Sequence, residues 1–265
     1  QDVGEKTTFE SEHITGEALA VPVSNINPYL VDAPDLVLEK RNQPICLVPT
    51  ISYGSMANDD GHLLLDKEQR NALIAAEPAT APYIRRYMGA QEFLNNAERW
   101  CLWLKDISPS LMRSSNELRH RIEAVRKFRA SSNREATRNL AATPSLFGED
   151  RQPLKSYLLL PKVSSENRPY MPIGFMPSEV IANGSALTIS DSGHYEMGVL
   201  QSKMHMAWMR AVAGRMKSDY QYSAQIVYNN FPWPDLPEKL EPNQPQTPTH
   251  KAQAAIEKAA QAVLD

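Results

Sequence analysis

Covalent and metal-based cross-links are scarce in this sequence of 265 residues. Only two cysteines, Cys46 and Cys101, are present, and they lack the close spacing of paired metal ligands. Isolated cysteines are typical of proteins from a reducing compartment, so we expect both thiols to be free and the protein to be cytoplasmic. The six histidines are scattered, without the i, i+3 or i+4 spacing of a zinc site. The sequence therefore argues against a disulfide-stapled secreted domain and predicts no metal ligands.

Long hydrophobic runs and a strong net charge are also missing. No apolar run approaches the roughly 20 residues that a membrane-spanning helix needs, and the polar start is not a signal peptide, so we expect no membrane partner. The formal net charge is −3. This value excludes binding of nucleic acid through bulk positive charge, and any such binding must come from local clusters of cations.

Recognisable catalytic motifs are absent as well. The tripeptide at 27–29, Asn-Pro-Tyr, is similar to the Asn-Pro-Pro-aromatic motif of amino-methyltransferases, but the second proline and a preceding glycine-rich cofactor loop are missing. A turn before a strand is the favoured interpretation. The acidic run at 58–61 lacks the alternating ligands of a calcium loop, and no serine lies in a nucleophile elbow. We therefore predict no catalytic and no cofactor-binding residues in this chain.

Hydrophobic periodicity predicts an α+β fold, with a small, mostly antiparallel sheet and several packed helices. Helices are expected to begin at Asp66, at 108–109 and at 192–193, and an alanine-rich helix is expected at 251–264. The helix from 108 should be the longest. The helix from 192 should run to Gly214, with one buried stripe formed by Met197, Leu200, Met204, Ala207 and Ala211. Strands are expected at 36–38, 45–48, 99–104, 157–160, 171–175 and 186–189.

Composition divides the chain into four parts. Because it begins with glutamine, we expect it to be a piece of a longer polypeptide, with residues 1–20 connecting it to an upstream domain. Residues 21–231 form the main domain. Residues 232–248 contain six prolines and predict a stiff linker, and residues 249–265 form a C-terminal helical tail.

Cations, phenols, an indole and amides are concentrated at 214–234, and a second polar run lies at 162–170. Together they supply the donors, acceptors and stacking faces that recognition of a nucleic acid requires. The candidates for contact with base edges are Lys162, Ser164, Ser165, Glu166, Asn167 and Arg168, with Arg85 and Arg86 as lesser candidates. The candidates for contact with phosphates are Arg126, Arg129, Arg215, Lys217, Ser218, Tyr220 and Tyr222.

Each of these segments also has a purely structural interpretation. The basic stretch at 113–138 could be a solvated outer face, and Arg85 and Arg86 could pack over a core. The segment at 164–168 could be a salt-bridged turn. The residues at 217–222 could cap a helix and seal the core. These alternatives remain open at the level of sequence.

The chain resembles the C-terminal part of the MmeI-like restriction–modification proteins, which combine an endonuclease, an adenine-amino methyltransferase and a target recognition domain in one polypeptide. The resemblance covers most of the chain, through the segments at 26–31, 53–56, 61–65, 87–93, 99–104, 163–168, 205–210 and 214–234.

The resemblance implies a DNA target recognition domain and C-terminal tail from an adenine-specific, type II restriction–modification enzyme. Its partners would be double-stranded DNA and an upstream methyltransferase domain, which would bind S-adenosylmethionine and methylate a target adenine. The fragment alone is expected to be no enzyme and to need no cofactor. The alternative is a docking or structural module that contacts another protein domain and makes no direct contact with DNA.

Overall fold

The computed structural model describes residues 4–11, 15–28, 30–35, 37–235 and 247–265. Within them lie thirteen β-strands and eight α-helices, which confirms the predicted α+β class. The strands are β1 (Lys6–Glu10), β2 (Leu19–Val23), β3 (Ile51–Tyr53), β4 (Leu64–Leu65), β5 (Ile84–Met88), β6 (Trp100–Leu102), β7 (Tyr157–Pro161), β8 (Val163–Ser164), β9 (Gly174–Met176), β10 (Ile181–Ala182), β11 (Ala186–Ser190), β12 (Gly214–Met216) and β13 (Asp219–Gln221). The helices are α1 (Lys67–Ala76), α2 (Ala90–Asn95), α3 (Pro109–Ser114), α4 (Asn116–Ala130), α5 (Glu135–Asn139), α6 (His194–Leu200), α7 (Lys203–Val212) and α8 (Pro248–Leu264).

The described strands form four small sheets rather than the single sheet expected. Their orders are β1-β2, β10-β5-β6-β4, β3-β11-β7-β9 and β12-β13-β8. Every strand pair in these sheets is antiparallel except β10 with β5. The strands predicted at 157–160, 171–175 and 186–189 correspond to β7, β9 and β11 of one sheet, and the strand predicted at 99–104 is β6.

Two large hydrophobic cores lie on either side of a smaller cluster. The first core is built mainly from residues 57–125, and the second from residues 158–233. Strand β7 is buried on both faces: Leu158 and Leu160 belong to the second core, whereas Tyr157 and Leu159 belong to the small cluster. Because alternate side chains of a strand point in opposite directions, β7 forms a central layer of the fold.

Local capping signals place α1 as predicted. The Asp66 carboxylate accepts a hydrogen bond from the Gln69 amide at 2.7 Å, and the helix ends at Ala76, two residues before Pro78. The helix expected from 108 is instead two helices, because the hydroxyl of Ser115 accepts from the Leu118 amide at 3.0 Å and begins α4 as an N-cap. With 17 residues, α8 is longer than α4, which has 15.

The helix expected from 192 is also interrupted. Ser202 caps α7 by accepting a hydrogen bond from the His205 amide at 3.1 Å. This break changes the helical register, so Met204 is 72% exposed, and Ala207 and Ala211 are exposed as well. The side chains of α7 that enter the second core are instead His205, Met206, Met209 and Val212.

The strand expected at 45–48 does not form. Residues 37–50 are irregular and pack on the second core through Leu38, Cys46 and Val48, and the Ile45 amide donates to the Asn229 carbonyl at 2.9 Å. Pro44 and Pro49 have no amide hydrogens, which prevents a regular ladder. Leu36, of the other expected strand, lies outside the described residues, as do Tyr29 and residues 236–246 of the predicted linker.

Two positive expectations, a turn at Asn27 and free thiols, are met within the described part of the chain. Asn27 forms a turn, with its side-chain oxygen accepting from the Val31 amide at 3.2 Å. Both cysteines are free thiols. Across the described ranges, no helix has the length and apolar character to cross a bilayer, and no three metal-binding side chains lie together.

Candidate nucleic-acid interface

Two polar segments that are far apart in sequence lie side by side in the three-stranded sheet β12-β13-β8. Strand β8 pairs with β13, which places Ser164 opposite Tyr220 and Val163 opposite Gln221. The Tyr222 amide extends the ladder by donating to the Lys162 carbonyl at 2.7 Å. We call residues 162–168 and 214–221 together the loop–hairpin surface. It carries four cations and two carboxylates, a net charge of +2 (4 − 2) in a chain whose net charge is −3.

A tight turn forms the tip of this surface. Strands β12 and β13 pair with Met216 opposite Asp219, which leaves Lys217 and Ser218 as a two-residue connection. Lys217 has a φ of +58°, a left-handed conformation that costs a residue with a side chain about 1–2 kcal/mol. Such strain is concentrated at functional sites, and the side chains of Lys217 and Ser218 are both exposed.

Arg215 is held in place by its own hairpin. Its guanidinium carbon lies 4.0 Å from the centre of the Tyr220 ring, and one terminal nitrogen donates to the Ser218 carbonyl at 3.1 Å. Tyr220 is buried and belongs to the second core. Burial of its ring argues against the predicted phosphate contact of Tyr220, which instead supports the planar guanidinium of the exposed Arg215.

Tyr222 is also a core residue. Its hydroxyl lies 3.0 Å from Nε2 of His205, and both side chains are buried. Burial lowers the pKa of His205 to about 3 and raises the pKa of Tyr222 well above its usual value, so the pair is neutral near pH 7. The predicted phosphate contact of Tyr222 is wrong for the same reason, and here the alternative that this run seals the core is correct.

The loop after β8 exposes its second half. Ser164 is only 2% exposed, within the β8–β13 ladder, so its predicted contact with a base is wrong. Ser165 and Glu166 are half-buried, whereas Asn167 and Arg168 are exposed. The Arg168 amide donates to the Ser165 carbonyl at 3.1 Å, and the described residues contain no ion pair of Glu166 or Arg168. Hydrogen bonds, not a salt bridge, therefore form this turn.

Lys162 lies at the edge of the loop–hairpin surface, in a cluster that sequence reasoning missed. Its ammonium donates to the Gly184 carbonyl at 3.0 Å and lies 4.8 Å from the centre of the Tyr53 ring. The guanidinium carbon of Arg151 lies 5.9 Å from the same ring. We call Tyr53, Arg151 and Lys162 the tyrosine cluster. No local spacing indicates it, because its members come from three separate segments.

Arg129 is the clearest departure from the predicted site. Its side chain is fully buried and donates to five backbone carbonyls at 2.7–3.0 Å, those of Ala57, Asn58, Leu140, Thr143 and Leu146. Burial lowers the pKa of its guanidinium. No donor remains for a DNA phosphate, so the predicted contact is wrong, and the side chain instead holds the 140–146 segment against residues 57–58.

The other predicted arginines lie on elements of the first core. Arg126 is exposed on α4 and lies 3.7 Å from Glu123, an arrangement that fits a solvated outer face. Arg86 lies over the Trp100 ring at 5.4 Å and beside Glu98 at 3.9 Å. Its neighbour on β5, Arg85, lines a cavity of about 390 Å³ whose walls include Asp106, Asp150 and Glu179. These three arginines lie on β5 and α4, whereas the loop–hairpin surface is built around β8, β12 and β13.

Comparison with known proteins identifies the domain. Residues 32–235 match the family model described as MmeI, target recognition domain. The chain is 38% identical over 214 residues to DNA methyltransferase A of Bacillus subtilis (strain 168), a match that covers 81% of this chain and 24% of that protein.

A solved structure gives the same assignment. The chain superposes on the Type IIL restriction-modification enzyme MmeI, determined in complex with DNA, with a TM-score of 0.90 and 42% identity. All of this chain is covered, but only 34% of the MmeI chain. The match thus covers 24% of DNA methyltransferase A and 34% of the MmeI chain, far less than either whole protein. With a family match over most of its length, the chain belongs to the MmeI target recognition domain family.

Proposed function

We propose that this domain recognises a short sequence in duplex DNA through the loop–hairpin surface. The observation that carries the proposal is the β8–β13 ladder, which unites exposed Asn167 and Arg168 with the exposed turn at 217–218. Amide and guanidinium side chains are the groups that hydrogen-bond in pairs to adenine and guanine edges in the major groove. The MmeI structure, determined with DNA, supports the same partner.

The exposed residues divide naturally into two roles. Asn167 and Arg168, with Ser165 and Glu166 beside them, would contact base edges, because together they offer both donors and acceptors. Arg215, Lys217 and Ser218 would contact phosphates and set the orientation of the domain on the duplex. A net charge of +2 on this surface would attract DNA locally in spite of the acidic total.

Methyl transfer is assigned to another part of a longer polypeptide. The relatives that the chain matches are roughly three times its length, and one of them is a DNA methyltransferase. We infer that such a catalytic domain binds S-adenosylmethionine and methylates an adenine, while the present domain selects the site and positions the base. Residues 21–231 would form the recognition domain, and α8 its C-terminal tail.

Selection from a randomised duplex pool at two salt concentrations tests the proposal. We expect the wild-type chain to enrich one short motif and to bind it less tightly at the higher salt concentration. The Arg168→Ala variant should relax the preference at one base pair, with unchanged affinity for non-specific DNA. A wild-type chain that binds no duplex, or that enriches no motif, would contradict the proposal.

A further inference from the structure

We propose that the tyrosine cluster is a second contact with the DNA backbone, a clamp for one phosphate next to the loop–hairpin surface. The inference rests on the proposed function, because it concerns the same duplex. It assigns roles to Tyr53 and Arg151, which carry no predicted role. Lys162, predicted to contact bases, becomes a phosphate ligand instead.

The backbone around Tyr53 is closely packed and leaves it little freedom. Tyr53 lies on β3 opposite Leu187 of β11. A Cβ atom on the next residue, Gly54, would lie 2.2 Å from the Asn183 carbonyl oxygen, so only glycine allows this approach. The Ser55 amide then donates to the Ala182 carbonyl at 2.7 Å. The ring of Tyr53 is therefore presented from a fixed main chain.

Hydrogen bonds also fix the positions of Arg151 and Lys162. The Arg151 amide donates to the Ser55 hydroxyl at 3.0 Å, which ties the start of its side chain to the same segment as Tyr53. Lys162 is anchored by the Gly184 carbonyl, in a turn where the Asn183 side-chain oxygen accepts from the Ser185 amide at 2.8 Å. Since an ammonium has three protons, Lys162 can still donate two hydrogen bonds.

The chemistry of the cluster favours an anion with several acceptor oxygens. Tyr53 is 40% exposed, and its hydroxyl has no protein partner among the described residues. Arg151 is shared with the Glu149 carboxylate, so two cations and one anion leave a net charge of +1. Both cations lie over the Tyr53 ring, which obstructs stacking of a base and leaves the hydroxyl edge for contact. A hydroxyl, an ammonium and a guanidinium together match the oxygens of a phosphate.

The position of the cluster favours a phosphate of DNA over a free one. Lys162 is followed directly by β8 and then by the exposed residues Asn167 and Arg168. A duplex whose base edges meet those residues has its backbone close on either side of the groove. The tyrosine cluster would therefore contact the strand that borders the groove.

Three single variants and wild type test the inference, each measured with the enriched duplex and with a scrambled one over a range of salt concentrations. Arg151→Gln should weaken both duplexes alike by about tenfold and reduce the slope of log affinity against log salt concentration by about 1. Tyr53→Phe, which keeps the ring, should weaken both by about threefold. The matched control is Lys155→Gln, at the other end of β7, where Lys155 is 82% exposed; it should change affinity less than about twofold.

These measurements distinguish failure of the phosphate clamp from failure of the proposed DNA recognition. If wild type binds DNA with the expected salt dependence but Arg151→Gln and Tyr53→Phe bind equally well, the clamp is refuted and the proposed function stands. If wild type binds no duplex, both the clamp and the proposed function are refuted. A titration with inorganic phosphate, monitored by nuclear magnetic resonance, tests whether the cluster binds a free anion. Binding of phosphate at Tyr53, combined with unchanged DNA affinity of the variants, would assign the cluster to a free anion and overturn the inference.

Discussion

The arginines of the first core and the cations of the loop–hairpin surface are used in different ways. On α4, Arg129 is fully buried against five carbonyls, and Arg121 bonds to Glu117 and to the His62 carbonyl. On the loop–hairpin surface, Arg168 and Lys217 are both exposed. The Arg168 amide donates to the Ser165 carbonyl, and Lys217 has a left-handed backbone conformation.

The difference shows that density of positive charge in the sequence does not locate a binding surface. The stretch at 113–138 is rich in cations, yet its buried arginine, Arg129, stabilises the fold. The loop–hairpin surface holds only four cations, but its strands are paired with one another, and the side chains of Asn167, Arg168, Lys217 and Ser218 are exposed to a ligand.

Replacing Arg129 with Met should have the largest effect. The change leaves five carbonyls without their shared donor, so we expect the free energy of unfolding to fall by about 3–5 kcal/mol. Denaturant unfolding measures this loss. The folded fraction should bind DNA with wild-type affinity. A stable variant with weaker, less salt-dependent DNA binding would instead show that Arg129 contacts a phosphate. The first core would then contribute to DNA binding.

Acidification should destabilise the second core through His205. The folded pKa, about 3, lies below the usual value of 6.5, because burial disfavours the charged ring. Between these values the unfolded chain binds a proton that the folded chain does not, so stability falls as pH decreases from about 6.5 towards 3. The contribution is at most about 1.4 kcal/mol per pH unit. The free energy of unfolding of His205→Gln, measured at several pH values, should vary less with pH than that of wild type. An unchanged slope would show that another group causes the loss of stability in acid.

Replacing Arg168 with Ala should affect sequence preference. We expect a loss of about 1–3 kcal/mol in discrimination at one base pair, because a guanidinium that bonds to a base edge is removed. Competition between duplexes that differ at single positions measures it. Equal losses at all positions would make Arg168 a phosphate contact instead.

A smaller effect, on affinity for DNA, is expected from Lys217→Ala. Arg126→Ala, on α4, is the variant for comparison. Removal of the lysine at the tip should weaken all duplexes by several-fold and lower the salt slope by about 1. Arg126, which is exposed but paired with Glu123, should contribute less. If both variants lose affinity equally, the DNA contact extends over α4 and the contrast between the two regions is wrong.

Elements with a local signal could be predicted from the sequence. Helix α1 has a capping aspartate and a stopping proline next to its ends, and β7 is a continuous apolar run. The breaks before α4 and α7 were missed because an apolar stripe continues across Ser115 and Ser202, each of which caps a new helix. The strand expected at 45–48 has the right composition but no ladder partner among the described residues.

The candidate site could be predicted only in part, since burial depends on distant segments. The runs at 162–168 and 214–222 are rich in polar groups, but their pairing through β8 and β13 sets which side chains point inwards. Ser164, Tyr220 and Tyr222 are the buried ones. Likewise, the burial of Arg129 requires carbonyls from residues 57–58 and 140–146 to converge, which no local pattern in α4 indicates.

Hydrogen exchange of the chain, with and without the enriched duplex, tests the location of the interface most directly. Backbone amides of residues 162–168 and 214–221 should exchange more slowly in the complex, while those of α4 keep their rates. Protection confined to α4, or to α7 and α8 alone, would contradict the assignment of DNA recognition to the loop–hairpin surface.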